Sequence, residues 1–135
     1  MFAKSKITIV LSAALIFILG FSTKVMAQNA PAVTVGNISP ATHSTIAAVT
    51  AETGLVTATA GYVVTAYTIS LVSNDQNATV LMSPVTVTGA SLTTQIKTDL
   101  NSHANQQSKL LITGIKIMGG GMIMNGSDVT YTLDQ

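Results

Sequence analysis

The spacing of apolar and polar residues changes several times along this chain, and each change marks an element. From Leu55 to Val72 the period is two. In Tyr62–Val72, Val63, Tyr67, Ile69 and Leu71 alternate with Val64, Ala66, Thr68 and Ser70, which predicts a half-buried antiparallel strand. Asn74-Asp75-Gln76-Asn77 is a turn cluster. A second run, Ala78–Thr88, returns from it, with Val85 and Val87 opposing Thr86 and Thr88. Pro84 has no N–H to give a neighbour, so this strand belongs at an edge. In Lys109–Met118, Leu111, Thr113, Ile115 and Ile117 share one face, and Gly119-Gly120-Gly121 follows as a turn free to take positive φ. Met122–Leu133 holds another turn signal, Asn125-Gly126, and then the alternating Val129, Tyr131 and Leu133.

Two stretches carry a helical spacing instead. Thr42–Thr53 reads as a short helix with Ser44 as N-cap and Gly54 at the position of a C′ glycine. Ser91–Ala104 places Leu92, Ile96, Leu100 and His103 on one stripe, with Ser91 as cap. A further short strand is expected at Val33–Val35. The sum is a mainly β chain: a small antiparallel sandwich of about six strands with one or two short helices.

The first 27 residues are of a different kind. Lys4 and Lys6 precede an apolar run from Ile7 to about Phe21, and Val25-Met26-Ala27 supplies the small residues of a cleavage site. This is the pattern of a secretory signal peptide, and its core is shorter than the ~20 apolar residues of a membrane span. The expected organisation is a signal peptide at 1–27, an extended leader at 28–40 and a single β-sandwich domain at 41–135. With no cysteine in the chain, there is no lipobox and no disulfide. The expected location is periplasmic or extracellular.

Removing the signal changes the electrostatics. Lys97, Lys109 and Lys116 then stand against Glu52, Asp75, Asp99, Asp128 and Asp134, for a net charge of −2, and there is no arginine. Nucleic-acid binding needs clustered cations to displace counterions, and none are clustered here. Thr, Ser, Asn and Gln supply the wettable surface, and a sheet so poor in charge lacks a common protection against edge-to-edge pairing.

Candidate chemistry is sparse. His43 and His103 are far apart and the acids are scattered, so no zinc spacing can be written. Met118, Met122 and Met124 bracket the triglycine turn. Thioether clusters can hold Cu(I), but methionine equally fills gaps in a core or an adaptable binding surface. Asp99 and His103 lie i, i+4 on the second helix, yet no strained serine turn accompanies them to complete a triad. The triglycine has no Lys or Ser/Thr at phosphate-loop spacing. The expectation is therefore no enzyme, no metal, no cofactor and no small-molecule substrate. A protein-contact surface is expected at the edge strand, through Pro84, Val85 and Val87, and at the hairpin, through Met118, Met122 and Met124.

The order of segments also resembles a known family. Ser44–Gly54, Leu55–Ala58, Tyr62–Val72, Ser91–Leu100, Lys109–Met118 and the glycine turn are similar to the C-terminal periplasmic domain of the GldM/PorM gliding-motility and type IX secretion family. Val64-Thr65-Ala66-Tyr67-Thr68-Ile69 stands at the family's early strand, and Leu111–Ile117 at its late one. The chain departs from the family where Gln107-Ser108 replaces a Gly-Asp pair, and where three glycines and Met122 replace a Pro-Asp-Gly turn and a basic residue. The resemblance spans about Ser39–Asp134. It implies an immunoglobulin-like sandwich that works as an adaptor for a protein partner in the cell envelope. The alternative is an extracellular filament or surface-layer subunit, self-associating through a leader that donates a strand to its neighbour.

Overall fold

The structure is a computed structural model and describes residues 29–135. The proposed signal peptide lies outside the described residues. In chain order the elements are β1 (Val33–Val35), β2 (Ser44–Thr45), α1 (Ile46–Ala51), β3 (Leu55–Thr57), β4 (Val63–Ser73), β5 (Val80–Thr88), α2 (Thr94–Asn101), β6 (Ser108–Gly119), β7 (Met122–Asn125) and β8 (Val129–Asp134). The protein is mainly β.

Six strands form one sheet in the order β2-β8-β6-β4-β5, with β7 paired to β6 beside β8. Strands β7 and β8 lie end to end along the same side of β6, separated at Gly126–Asp128, and both pair antiparallel with it. The remaining pair, β1 and β3, makes a separate antiparallel ribbon. The sheet is not purely antiparallel as expected: β2 runs parallel to β8 through Ser44↔Leu133 and Thr45↔Asp134. A second full sheet is replaced by the β1–β3 ribbon and the two helices, which pack on each other. Their side chains Val35, Ile46, Val49, Ile96 and Leu100, with Leu92 from the segment ahead of α2, join Tyr67, Ile69, Leu110, Ile117, Tyr131 and Leu133 in one buried cluster. Among the described residues, one face of the large sheet is thus covered and the other is open.

Strand existence follows the sequence pattern, but strand faces do not. Val64 is buried and Val63 is 54% exposed, the reverse of the expected alternation. The reason is a register shift in the β4–β6 ladder, where Val64↔Ile117 is followed by Ala66↔Lys116, leaving an extra residue on β4. Strand β6 has the complementary defect. Ala66↔Lys116 is followed by Thr68↔Thr113, and Gly114 sits between at φ +58°, the left-handed geometry of a glycine bulge. Ahead of this bulge Leu110 and Ile112 point inward, and beyond it Ile115 and Ile117 do. The expected face of Leu111 and Thr113 is therefore corrected to the opposite one. Each bulge adds one residue and flips every later side chain.

The helices are shorter than their patterns suggested. Thr45, not Ser44, caps α1, its side chain accepting from the Ala48 N–H at 3.2 Å. Ser44 is instead engaged in β2. Thr93, not Ser91, caps α2 by accepting from the Ile96 N–H. Ser91 forms a β-bridge with Gly54, and its carbonyl accepts the Tyr67 hydroxyl at 2.7 Å. In both cases the helix starts one or two residues later than its pattern suggested, and the threonine at the new start takes the cap.

Two buried tyrosines tie the layers together. Tyr131 accepts the Val35 N–H at 2.7 Å and donates to the Ile38 carbonyl at 3.0 Å. The segment expected to be a loose leader is therefore docked, with Val33 and Val35 in the core.

Candidate protein-contact surface

The residues singled out at the two edges have different fates. Strand β5 is an edge strand, as Pro84 implied. Its ladder with β4 slips twice, Ile69↔Val85 giving way to Leu71↔Met82 and then Val72↔Val80. Val87 is buried at 8% exposure and Met82 at 6%, while Val85 lies 38% exposed at the sheet margin. With a proline and two irregularities, this edge presents no continuous row of free N–H and C=O groups.

The hairpin at the other side is better formed. Gly119 pairs with Met122, and the two residues between, Gly120 and Gly121, have φ +59° and +77°. Positive φ at both central positions is the two-residue turn that matches strand twist, and it favours glycine at each. The Tyr62 ring lies over Gly119, where a Cβ would strike it. The triglycine is thus a hairpin turn, as its sequence suggested.

The three methionines do not converge. Met118 pairs with Ile123 on the open face, whereas Met122 pairs with Gly119 and Met124 with Ile117 on the covered face. Met124 packs partly against the core, and Met118 and Met122 are 46% and 48% exposed. A thioether cluster of all three is not assembled. Among the described residues no three His, Cys, Asp or Glu side chains gather into a metal-sized group. Asp99 accepts from the Gln95 amide at 2.9 Å, and the Nδ1 of His103 is buried without a partner. His103 lies beyond the end of α2, not on it as expected, and is not joined to Asp99 by a hydrogen bond. His43 Nδ1 meets Asp134 at 3.1 Å in an exposed contact that fastens β2 beside the end of β8.

What the geometry does bring together is a row that the sequence did not announce. Val63, Met118 and Ile123 are register partners on β4, β6 and β7. They are 54%, 46% and 70% exposed and stand side by side on the open face. Ile123 carries no sequence signal of its own between two methionines, and the bulge that turns Val63 outward leaves none either. Elsewhere this face is wet: Thr68 and Thr86 share a hydroxyl contact at 3.1 Å, and the ammonium of Lys116 reaches the side chain of Asn125.

Comparison with protein-family models, curated proteins and solved structures finds no match to this chain. Among the described residues no helix is long and apolar enough to cross a membrane.

Proposed function

We propose that this protein is an exported, non-enzymatic binding module that meets a protein partner in the cell envelope. In this reading it is an immunoglobulin-like relative of the terminal periplasmic domain of the GldM/PorM family. The β1–β3 ribbon and the two helices stand in for most of the second sheet. The signal-like first 27 residues support export. The order of strand, strand, helix, strand and glycine turn is the support for the family reading. The observation that carries the binding role is the exposed row of Val63, Met118 and Ile123. It interrupts an otherwise threonine-rich open face, and apolar side chains grouped on a surface mark contact sites. Methionine and isoleucine there can bury area against a partner without desolvating a charge.

Affinity capture tests this. Protein expressed from the full sequence is immobilised and exposed to a solubilised envelope fraction. The wild type is expected to retain an envelope protein that the Met118→Glu/Ile123→Glu variant loses, since each glutamate places a charge in the buried centre of the contact. Equal retention by both, or no retained protein where a known complex survives, overturns the reading.

A further inference from the structure

The edge beyond β7 has a property that the open face alone does not. Gly119 and Met122 flank a two-residue turn, so they form a hydrogen-bonded pair, and such pairs alternate along an antiparallel ladder. The Met118↔Ile123 pair is then a non-bonded one. The N–H and C=O of Ile123 consequently point away from β6 toward solvent. The same holds for Asn125, which is paired with Lys116. Strand β7 (Met-Ile-Met-Asn) is four residues long, but carries neither the charge nor the proline that also blunt such an edge.

We propose that β7 pairs with β7 of a second copy of this chain, antiparallel about a two-fold axis that passes beside Ile123. This occupant is favoured by self-complementarity. A two-fold axis normal to the sheet keeps open faces together, so Ile123 must oppose a residue of its own face, and itself is the central choice. That register closes two reciprocal N–H···O=C bonds at Ile123. It also joins Val63, Met118 and Ile123 to their symmetry mates in one apolar row across both sheets. No like charges are brought opposite one another, since Lys116 lies one strand further in and faces the glycine turn of the other copy. The association stops at two. Self-pairing of one edge is closed, the end strand β2 is only two residues long, and the opposite edge, β5, is interrupted by Pro84 and its register slips.

Sedimentation velocity of protein expressed from its full sequence tests this. One short strand pair predicts weak, reversible dimerisation with Kd on the order of micromolar or higher. Ile123→Pro removes an N–H that the protomer's own ladder does not use and is expected to leave a folded monomer. Should that variant unfold, cysteine mapping still decides, because the chain has no other thiol. With oxidised glutathione as oxidant, Ile123→Cys is expected to form a disulfide-linked dimer, its Cα atoms being about 5.5 Å apart across the axis. Asn125→Cys, displaced by two residues on each strand, is expected to remain uncrosslinked. Three results would overturn the proposal: a wild type that stays monomeric up to roughly 1 mM, assemblies larger than two, or equal crosslinking at both positions.

Discussion

The Tyr131 hydroxyl occupies both of its hydrogen-bonding roles inside the fold, toward Val35 and Ile38. Tyr131→Phe would leave a buried N–H unpaired and is expected to destabilise by about 1–3 kcal/mol, read from urea denaturation. Tyr67→Phe gives up only the donation to the Ser91 carbonyl and is expected to cost less. Burial also disfavours the phenolate at both positions, pushing Tyr67 up to about 12 and raising Tyr131, where the charge of Glu52 adds to the burial. Below pH ~10 both folded and unfolded chains keep these protons and stability is unaffected. Above it the unfolded chain ionises first, so stability is expected to fall as pH rises from ~10 toward the raised value of Tyr67, with Tyr131 contributing in the same direction. A urea midpoint that stays level across that range would contradict the buried placement. Asp75 behaves in the opposite sense. The Ser73 hydroxyl, then the N–H groups of Ala78 and Asn77, donate to its carboxylate and hold its pKa below the usual range. Its support for the β4–β5 turn is present above the ordinary carboxylate pKa and is lost as pH falls through the lowered one. Amide exchange at Asn77 and Ala78 is expected to accelerate in acid once the intrinsic pH dependence is removed.

At the scale of elements, the β6–β7 hairpin gives the sharpest test. Replacing Gly120 and Gly121 together by alanine forces two Cβ atoms into left-handed backbone and is expected to destabilise by roughly 1–3 kcal/mol. Lys116→Gln, on the open face, is expected to change stability by no more than about 0.5 kcal/mol; equal melts for both variants would mean the turn is not held as described. The turn was legible because glycine chemistry is local, and so were the β5 edge, through Pro84, and the length of β4, through its alternation. The covered faces of β4 and β6 were not legible. A bulge is decided by two strands at once, and neither Thr65-Ala66 nor Gly114 betrays in one dimension that its partner is also out of step. The candidate surface suffered for the same reason. Met118 was found by residue type, but its neighbours Val63 and Ile123 become neighbours only through the shifted register. The helix starts are displaced from Ser44 to Thr45 and from Ser91 to Thr93 by long-range pairing of the segments ahead of them, which local cap preference does not reveal.

At the scale of the whole molecule, the fold is one large sheet covered on a single side. Its stability rests on how well two short helices and a two-stranded ribbon stay seated. Their own internal hydrogen bonds are few, so the layer is held by the apolar cluster and by the tyrosine hydroxyls. This bears on the filament alternative: a leader that donates its strand must first pull Val33 and Val35 out of the core and break the Val35–Tyr131 bond. Deleting residues 28–35 is accordingly expected to lower the thermal midpoint, with exposed apolar surface detectable by dye binding. An unchanged midpoint would show that β1 adds nothing to the fold. The same bond has a consequence for the order in which the chain can take shape. Val35 and Tyr131 are 96 positions apart, and β2 likewise finds its partner only in Leu133 and Asp134. A polypeptide appearing from its amino end can zip β1 onto β3 early, but the ladder partner of β2 and the Tyr131 hydroxyl that fastens Val35 come late. Until β8 has been made, β2 has no ladder partner and the Val35 N–H no hydroxyl to donate to, so truncation ahead of Tyr131 would leave both unpaired while the β1–β3, β4–β5 and β6–β7 ladders remain.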